Sequence, residues 1–135
     1  MKTLRKRVIG AGAGVLLGVL LVGNIAFAST QWKGYDTKVG KFNGNGYTGY
    51  QEKETDGANG KLESELVGGN YKVDARMIDE GGESGVWLRN VDDNHTYSLP
   101  GYHKQYAGEK VRVQFSNDIT TCVDVRVTGQ FMCDN

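Results

Sequence analysis

Few residues in this chain are of a kind that does chemistry. His95 and His103 are its only imidazoles. His95 closes the run Asp92-Asp93-Asn94-His95-Thr96, where two carboxylates, an amide and an imidazole crowd one short stretch. That makes Asp92, Asp93 and Asn94 candidate ligands for a divalent ion. Adjacent residues rarely converge on one ion, however, and only the Asp-x-Asn fragment of a calcium loop is present. A solvated polar turn is the expected role, and no metal is expected. Asn94-His95-Thr96 also reads as a glycosylation sequon, relevant only in a host that uses it. A second acidic run, Asp79-Glu80-Gly81-Gly82-Glu83-Ser84-Gly85, reads as a hairpin loop, because calcium needs about six to eight convergent oxygens. Gly-x-Ser-x-Gly is absent, and Ser84 and Ser98 have no nucleophile context. A glycosidase carboxylate pair would come from different strands, so spacing does not reveal one. The expectation is a protein that is not an enzyme and takes no cofactor.

Cys122 and Cys133 are the only cysteines, in Cys122-Val-Asp-Val-Arg-Val-Thr-Gly-Gln-Phe-Met-Cys133. The spacing fits neither a zinc site nor a C-x-x-C redox motif. If Val123–Phe131 is one strand, the thiols fall on opposite faces, about 36 Å apart at ~3.3 Å per residue. If Thr128-Gly129 is a hairpin turn, they share a face but lie diagonally; a turn shifted by one residue would set them opposite each other. The unbroken alternation favours one strand. Export, argued below, favours a bridge, and a Cys122–Cys133 disulfide is the expectation on that ground.

Aromatic side chains carry the remaining signal. Trp32 and Tyr35 lie in an irregular segment, and Tyr97, Tyr102, His103 and Tyr106 cluster around Pro100-Gly101. Trp87, in Val86-Trp87-Leu88-Arg89, faces either the core or water, depending on the phase of its strand. Outward rings are flat amphipathic platforms for sugars or for protein contacts. Trp32, Tyr35, Trp87, Tyr97, Tyr102 and Tyr106 are therefore the ligand-binding candidates. A buried Trp87, and tyrosines that merely cover their own sheet, are the ordinary alternatives.

The elements that position these residues are strands. Tyr71-Lys72-Val73-Asp74-Ala75-Arg76-Met77 alternates apolar and polar, as do Val111-Arg112-Val113-Gln114-Phe115 and Val123-Asp124-Val125-Arg126-Val127. Period two puts the apolar set on a core face and the charges in water. Weaker strand candidates are 47–55, 61–67, 86–91 and 96–99; residues 29–42 read as a loose arm or an edge strand. The separators at 43–46, 56–60, 68–70, 79–85, 92–94 and 117–118 are rich in Gly, Asn and Asp. About seven to eight short strands predict an all-β antiparallel sandwich, with a small barrel as the alternative. If 111–115 and 123–127 form a hairpin, keeping the valines on one face requires an odd-numbered loop or a bulge between them.

The first residues bear on location. Lys2, Arg5, Lys6 and Arg7 precede an apolar stretch, and Ala26-Phe27-Ala28 offers small residues for cleavage. That is the three-part pattern of a secretory signal peptide over 1–28, leaving one β-rich domain over 29–135. An uncleaved anchor is the alternative, since Val8–Ala28 is near the ~20 residues that span a bilayer. No cysteine follows the apolar run, so a lipoprotein anchor is excluded. With the four signal cations gone, 12 Lys and Arg remain against 16 Asp and Glu, about −4. An acidic domain without a basic cluster is a poor ligand for nucleic acid or anionic lipid.

The order of features resembles an uncharacterised family of small secreted proteins of Gram-positive bacteria. The resemblance is carried by Trp32-Lys33-Gly34-Tyr35, Gly46-Tyr47-Thr48, Asn70-Tyr71-Lys72-Val73, Trp87, Tyr97-Ser98-Leu99-Pro100, and Val123-Asp124-Val125 with Val127-Thr128-Gly129. It implies export and a β-rich domain, and a closing strand that runs on through the glycine without a cysteine pair. It supplies no activity or site. The expected function is a secreted, non-catalytic binding module for cell-envelope glycan or polysaccharide. The alternative is a secreted protein-interaction factor (toxin, immunity protein or protease inhibitor) presenting residues 97–106. The expected partner is thus a glycan or another secreted protein, with no membrane contact after signal cleavage.

Overall fold

The computed structural model describes residues 30–135, so the expected signal peptide over 1–28 lies outside the described residues. Nine strands and no helix are found there: β1 (Lys33–Val39), β2 (Asn45–Tyr47), β3 (Gln51–Glu52), β4 (Gly60–Val67), β5 (Val73–Asp79), β6 (Leu88–Val91), β7 (His95–Leu99), β8 (Lys110–Ser116) and β9 (Val125–Met132). Two antiparallel sheets form a sandwich with no closed barrel. One has the order β1-β9-β4-β7; the other has the order β2-β8-β5-β6, with β3 also beside β8. Segment 29–42, open between arm and edge, contributes the edge strand β1.

Alternation explains which side of each strand is dry. In β5, Val73, Ala75, Met77 and Asp79 are buried, while the residues between them are half-buried. In β8, Val111, Val113 and Phe115 face the same interior, opposite Val125, Val127 and Phe131 of β9 in the other sheet. β4 changes phase: Ser64 pairs with Gly129 but Leu66 with Thr128, so Glu65 is the extra residue of a bulge. That slip turns Leu66 outward and Val67 inward.

Two expectations fail here for one reason. β8 and β9 do not form a hairpin; β8 lies in the five-stranded sheet and β9 in the four-stranded one. The expected odd loop is instead a crossover between sheets. It is held by Asn117, whose side-chain amide donates to the carbonyls of Val39 and Gly40, and by Phe42 N–H donating to Thr121 O. Val123 stays outside the strand and is exposed. The Cys122–Cys133 disulfide is also absent: both thiols are free, Cys122 exposed and Cys133 buried. β9 runs unbroken through Gly129, which separates its two flanking cysteines along the strand. Gly129 needs its missing Cβ, since one there would run into Glu63 O and the Tyr35 hydroxyl.

Candidate functional site

The outward phase of the five-stranded sheet gathers arginines and rings. In β8 the polar positions of the alternation are Arg112 and Gln114; in β5 they are Asp74 and Arg76. Register sets Gln114 opposite Tyr47 on one side and Arg76 on the other. Trp87 lies just before β6 and completes the row. The guanidinium of Arg112 sits between two tyrosines, 4.0 Å from the Tyr47 ring centroid and 4.7 Å from that of Tyr50. Arg76 lies 4.3 Å over Trp87, and Arg89 reaches the same ring at 5.9 Å. A cation over an aromatic face is attracted by the ring quadrupole, so each stack holds both partners in place.

Hydrogen bonds tie the row together. Arg76 Nε donates to Gln114 Oε1 at 2.8 Å, and Gln114 Nε2 donates to Asn45 Oδ1 at 3.1 Å and to the Tyr47 hydroxyl at 3.4 Å. Arg89 is bound to Asp74 at 2.6 Å, and the other oxygen of Asp74 accepts Asn90 N–H. Beside Trp87 and Gln114 the face dips into an open depression of about 630 Å³, walled at its far end by Asn117, Asp118 and Ile119. The surface is polar, aromatic and held in shape by its own contacts.

Of the six candidates read from sequence, Trp87 alone belongs to this row. Trp32 is exposed ahead of β1. Tyr35 lies in the core, tilted against Phe115 at 5.1 Å, so its ring offers no platform; burial pushes its phenol well above the ordinary range. Tyr97 is half-buried, and its hydroxyl accepts Asp92 N–H. Tyr102 lies against His103 at 4.7 Å, and Tyr106 is exposed. Loop 100–109 is pinned by Gln105, which is fully buried and donates to Met77 O and Glu83 O. Asp92, Asp93 and Asn94 make the β6–β7 turn: Asp92 Oδ1 accepts Asp93 N–H, Asp93 Oδ1 accepts Val67 N–H, and Asn94 has φ 55°. Among the described residues no three His, Cys, Asp or Glu side chains converge as metal ligands would.

The second concentration of polar groups is interior and was missed entirely. Lys53, just after β3, is 1% exposed. Its ammonium donates to Cys133 O at 2.6 Å and Ala58 O at 2.7 Å, and pairs with Asp134 Oδ1 at 3.1 Å. Cys133 N–H donates to Gln51 Oε1, and Glu54 N–H donates to Asp134 Oδ2. Burial, with the Asp134 carboxylate beside it, pushes the Cys133 thiol up to about 12. Two carbonyls accept from the ammonium and a carboxylate pairs with its charge, so this cluster fastens residues 133–134 to the end of β3.

No protein-family model matches the chain, and no curated protein matches it.

Proposed function

We propose that this protein is a non-catalytic binding module that holds a polysaccharide across the outer face of its five-stranded sheet, and that it works outside the cell. The observation that carries the reading is the row Tyr50, Arg112, Tyr47, Gln114, Arg76, Trp87, Arg89, stacked and hydrogen-bonded into one fixed surface. Sugar rings present apolar C–H faces and polar rims. Flat amphipathic side chains beside amide and guanidinium donors suit both. A preformed face also spares the ordering cost that a mobile one would add on binding.

Sedimentation with isolated cell walls and insoluble polysaccharides tests this. The expected result is retention in the pellet, lost in a Trp87→Ala, Tyr47→Ala double variant that keeps its unfolding midpoint. Protein that stays wholly in the supernatant against every polysaccharide overturns the reading.

A further inference from the structure

We propose that the polymer held on this face is anionic, a glycan bearing carboxylate or phosphate groups, and that Arg112 and Arg76 recognise its charge. This rests on the reading of the face as a glycan platform and narrows it to one ligand chemistry.

Three of the four arginines among the described residues, Arg76, Arg89 and Arg112, stand on this one face. The domain as a whole is acidic, so their gathering goes against its composition. Arg89 has a counter-ion in Asp74. Arg76 and Arg112 have none: among the described residues, no carboxylate lies within ion-pair distance of either. Both side chains are half-buried. A cation that is partly desolvated and lacks a counter-ion is costly to keep, and an arriving anion offsets that cost. Arg112 Nε is moreover a buried donor with no partner. Native proteins leave few such donors unsatisfied, so this one has capacity for an acceptor that the protein itself does not supply.

The residue type adds specificity. The Arg112 guanidinium carbon lies 4.0 Å from the Tyr47 ring centroid and 4.7 Å from that of Tyr50, and that of Arg76 lies 4.3 Å from Trp87. The N–H donors lie in the guanidinium plane, so a stacked arginine can still fork onto two oxygens of one carboxylate or phosphate. A lysine would supply the charge without the fork or the plane. The rings beside each cation then accommodate the sugar that carries the acidic group. Of the two acids that line the depression, Asp74 is paired with Arg89, and Asp118 has no arginine partner among the described residues.

The test is affinity electrophoresis of the purified protein through gels containing polygalacturonate, a glycerol-phosphate polymer, a neutral β-glucan or polyglutamate. Retardation by either of the first two supports the proposal, and which one retards shows whether carboxylate or phosphate is read. Arg112→Lys should weaken that binding by roughly tenfold and Arg112→Gln by more, while Arg126→Gln on the other sheet should leave it unchanged. Unfolding midpoints of all three variants guard against misfolding. Equal retardation by the neutral glucan overturns the anionic proposal and leaves the glycan platform standing. Equal retardation by polyglutamate overturns it too, since charge without sugar would suffice. No retardation in any gel removes both readings.

Discussion

Lys53 and Arg112 sit close together along one edge of the molecule, yet the fold treats their charges in opposite ways. Lys53 donates its backbone N–H to Glu109 O, three residues before Arg112 on the same path of chain. The lysine turns inward, donates to two buried carbonyls and pairs with a carboxylate of the protein itself. The arginine turns outward, rests between two rings, and keeps a donor unmatched. A set of partners supplied from within makes a fastener, costly to open and indifferent to ligand. An incomplete set, held rigid, makes a surface that gains by meeting something.

The comparison breaks most readily at the fastener. Lys53→Met or Asp134→Leu alone should cost about 3–5 kcal/mol in urea unfolding, because each leaves the other charge buried without its opposite charge. The double variant should recover most of that, since two apolar side chains need no partner. A double variant no better than either single one would show that the hydrogen bonds to Ala58 and Cys133, rather than the ion pair, do the fastening. On the outer face, Arg112→Ala should cost about 1–2 kcal/mol of stability, the scale of partly desolvated cation–ring contacts, while removing glycan retention.

Alkali should act on the interior through two buried groups. The Cys133 thiol is raised from 9.0 to about 12 by burial, so the folded state keeps a proton that the unfolded chain gives up. The sign of the linkage follows: this contribution is whole below pH 9, and is lost as pH rises through 9 toward 12. Tyr35, raised for the same reason, adds to the loss above pH 10. The unfolding midpoint should thus hold steady to about pH 9 and fall beyond it, more steeply than in Cys133→Ala. Thiol labelling sharpens the contrast further. At pH 8 one alkyl group should enter at Cys122 within minutes, and a second only in denaturant. Last and smallest is the surface pair Asp36–Arg126, fully exposed at 2.7 Å, where Arg126 hydrogen-bonded to Asp36 holds that carboxyl below its usual range. Asp36→Asn should leave the melting temperature unchanged within error.

How far these regions could be read from residue order follows from their physics. The alternations at 71–77 and 111–115 identified the dry faces of β5 and β8, because period two is a local property. Their polar phases held Arg76, Arg112 and Gln114 in plain view. Those residues become one surface only through the register with Tyr47, and a register between distant strands leaves no local mark. Looking for arginines among the outward positions of otherwise well-formed strands would have been the available signal. The separate sheets of β8 and β9 were illegible for the same reason: two alternating runs near each other in sequence look alike whether they pair or face each other. Lys53 had no signal at all. Between Glu52 and Glu54 it reads as an exposed lysine in a charged turn. Compartment favours a bridge between Cys122 and Cys133, but β9 continues past the glycine and keeps them apart.

The fastener has a further consequence for how the molecule reaches its shape. The bonds that join residues 51–54 to 133–134 span 80 or more positions of chain, as does Arg126 with Asp36 at 90. The first strand meets its neighbour only in the register Lys33↔Phe131. Contacts between such distant positions offset the entropy of closing the intervening loop only once they form. A fragment that stops before β9 can pair β2, β3, β5, β6 and β8 but lacks the strand that lies between β1 and β4. The chain should fold late and in one step, on the millisecond-to-second scale of sandwiches built from distant pairings. Until residues 133–134 are available, Lys53 has no Asp134 to pair with, and the interior stays open.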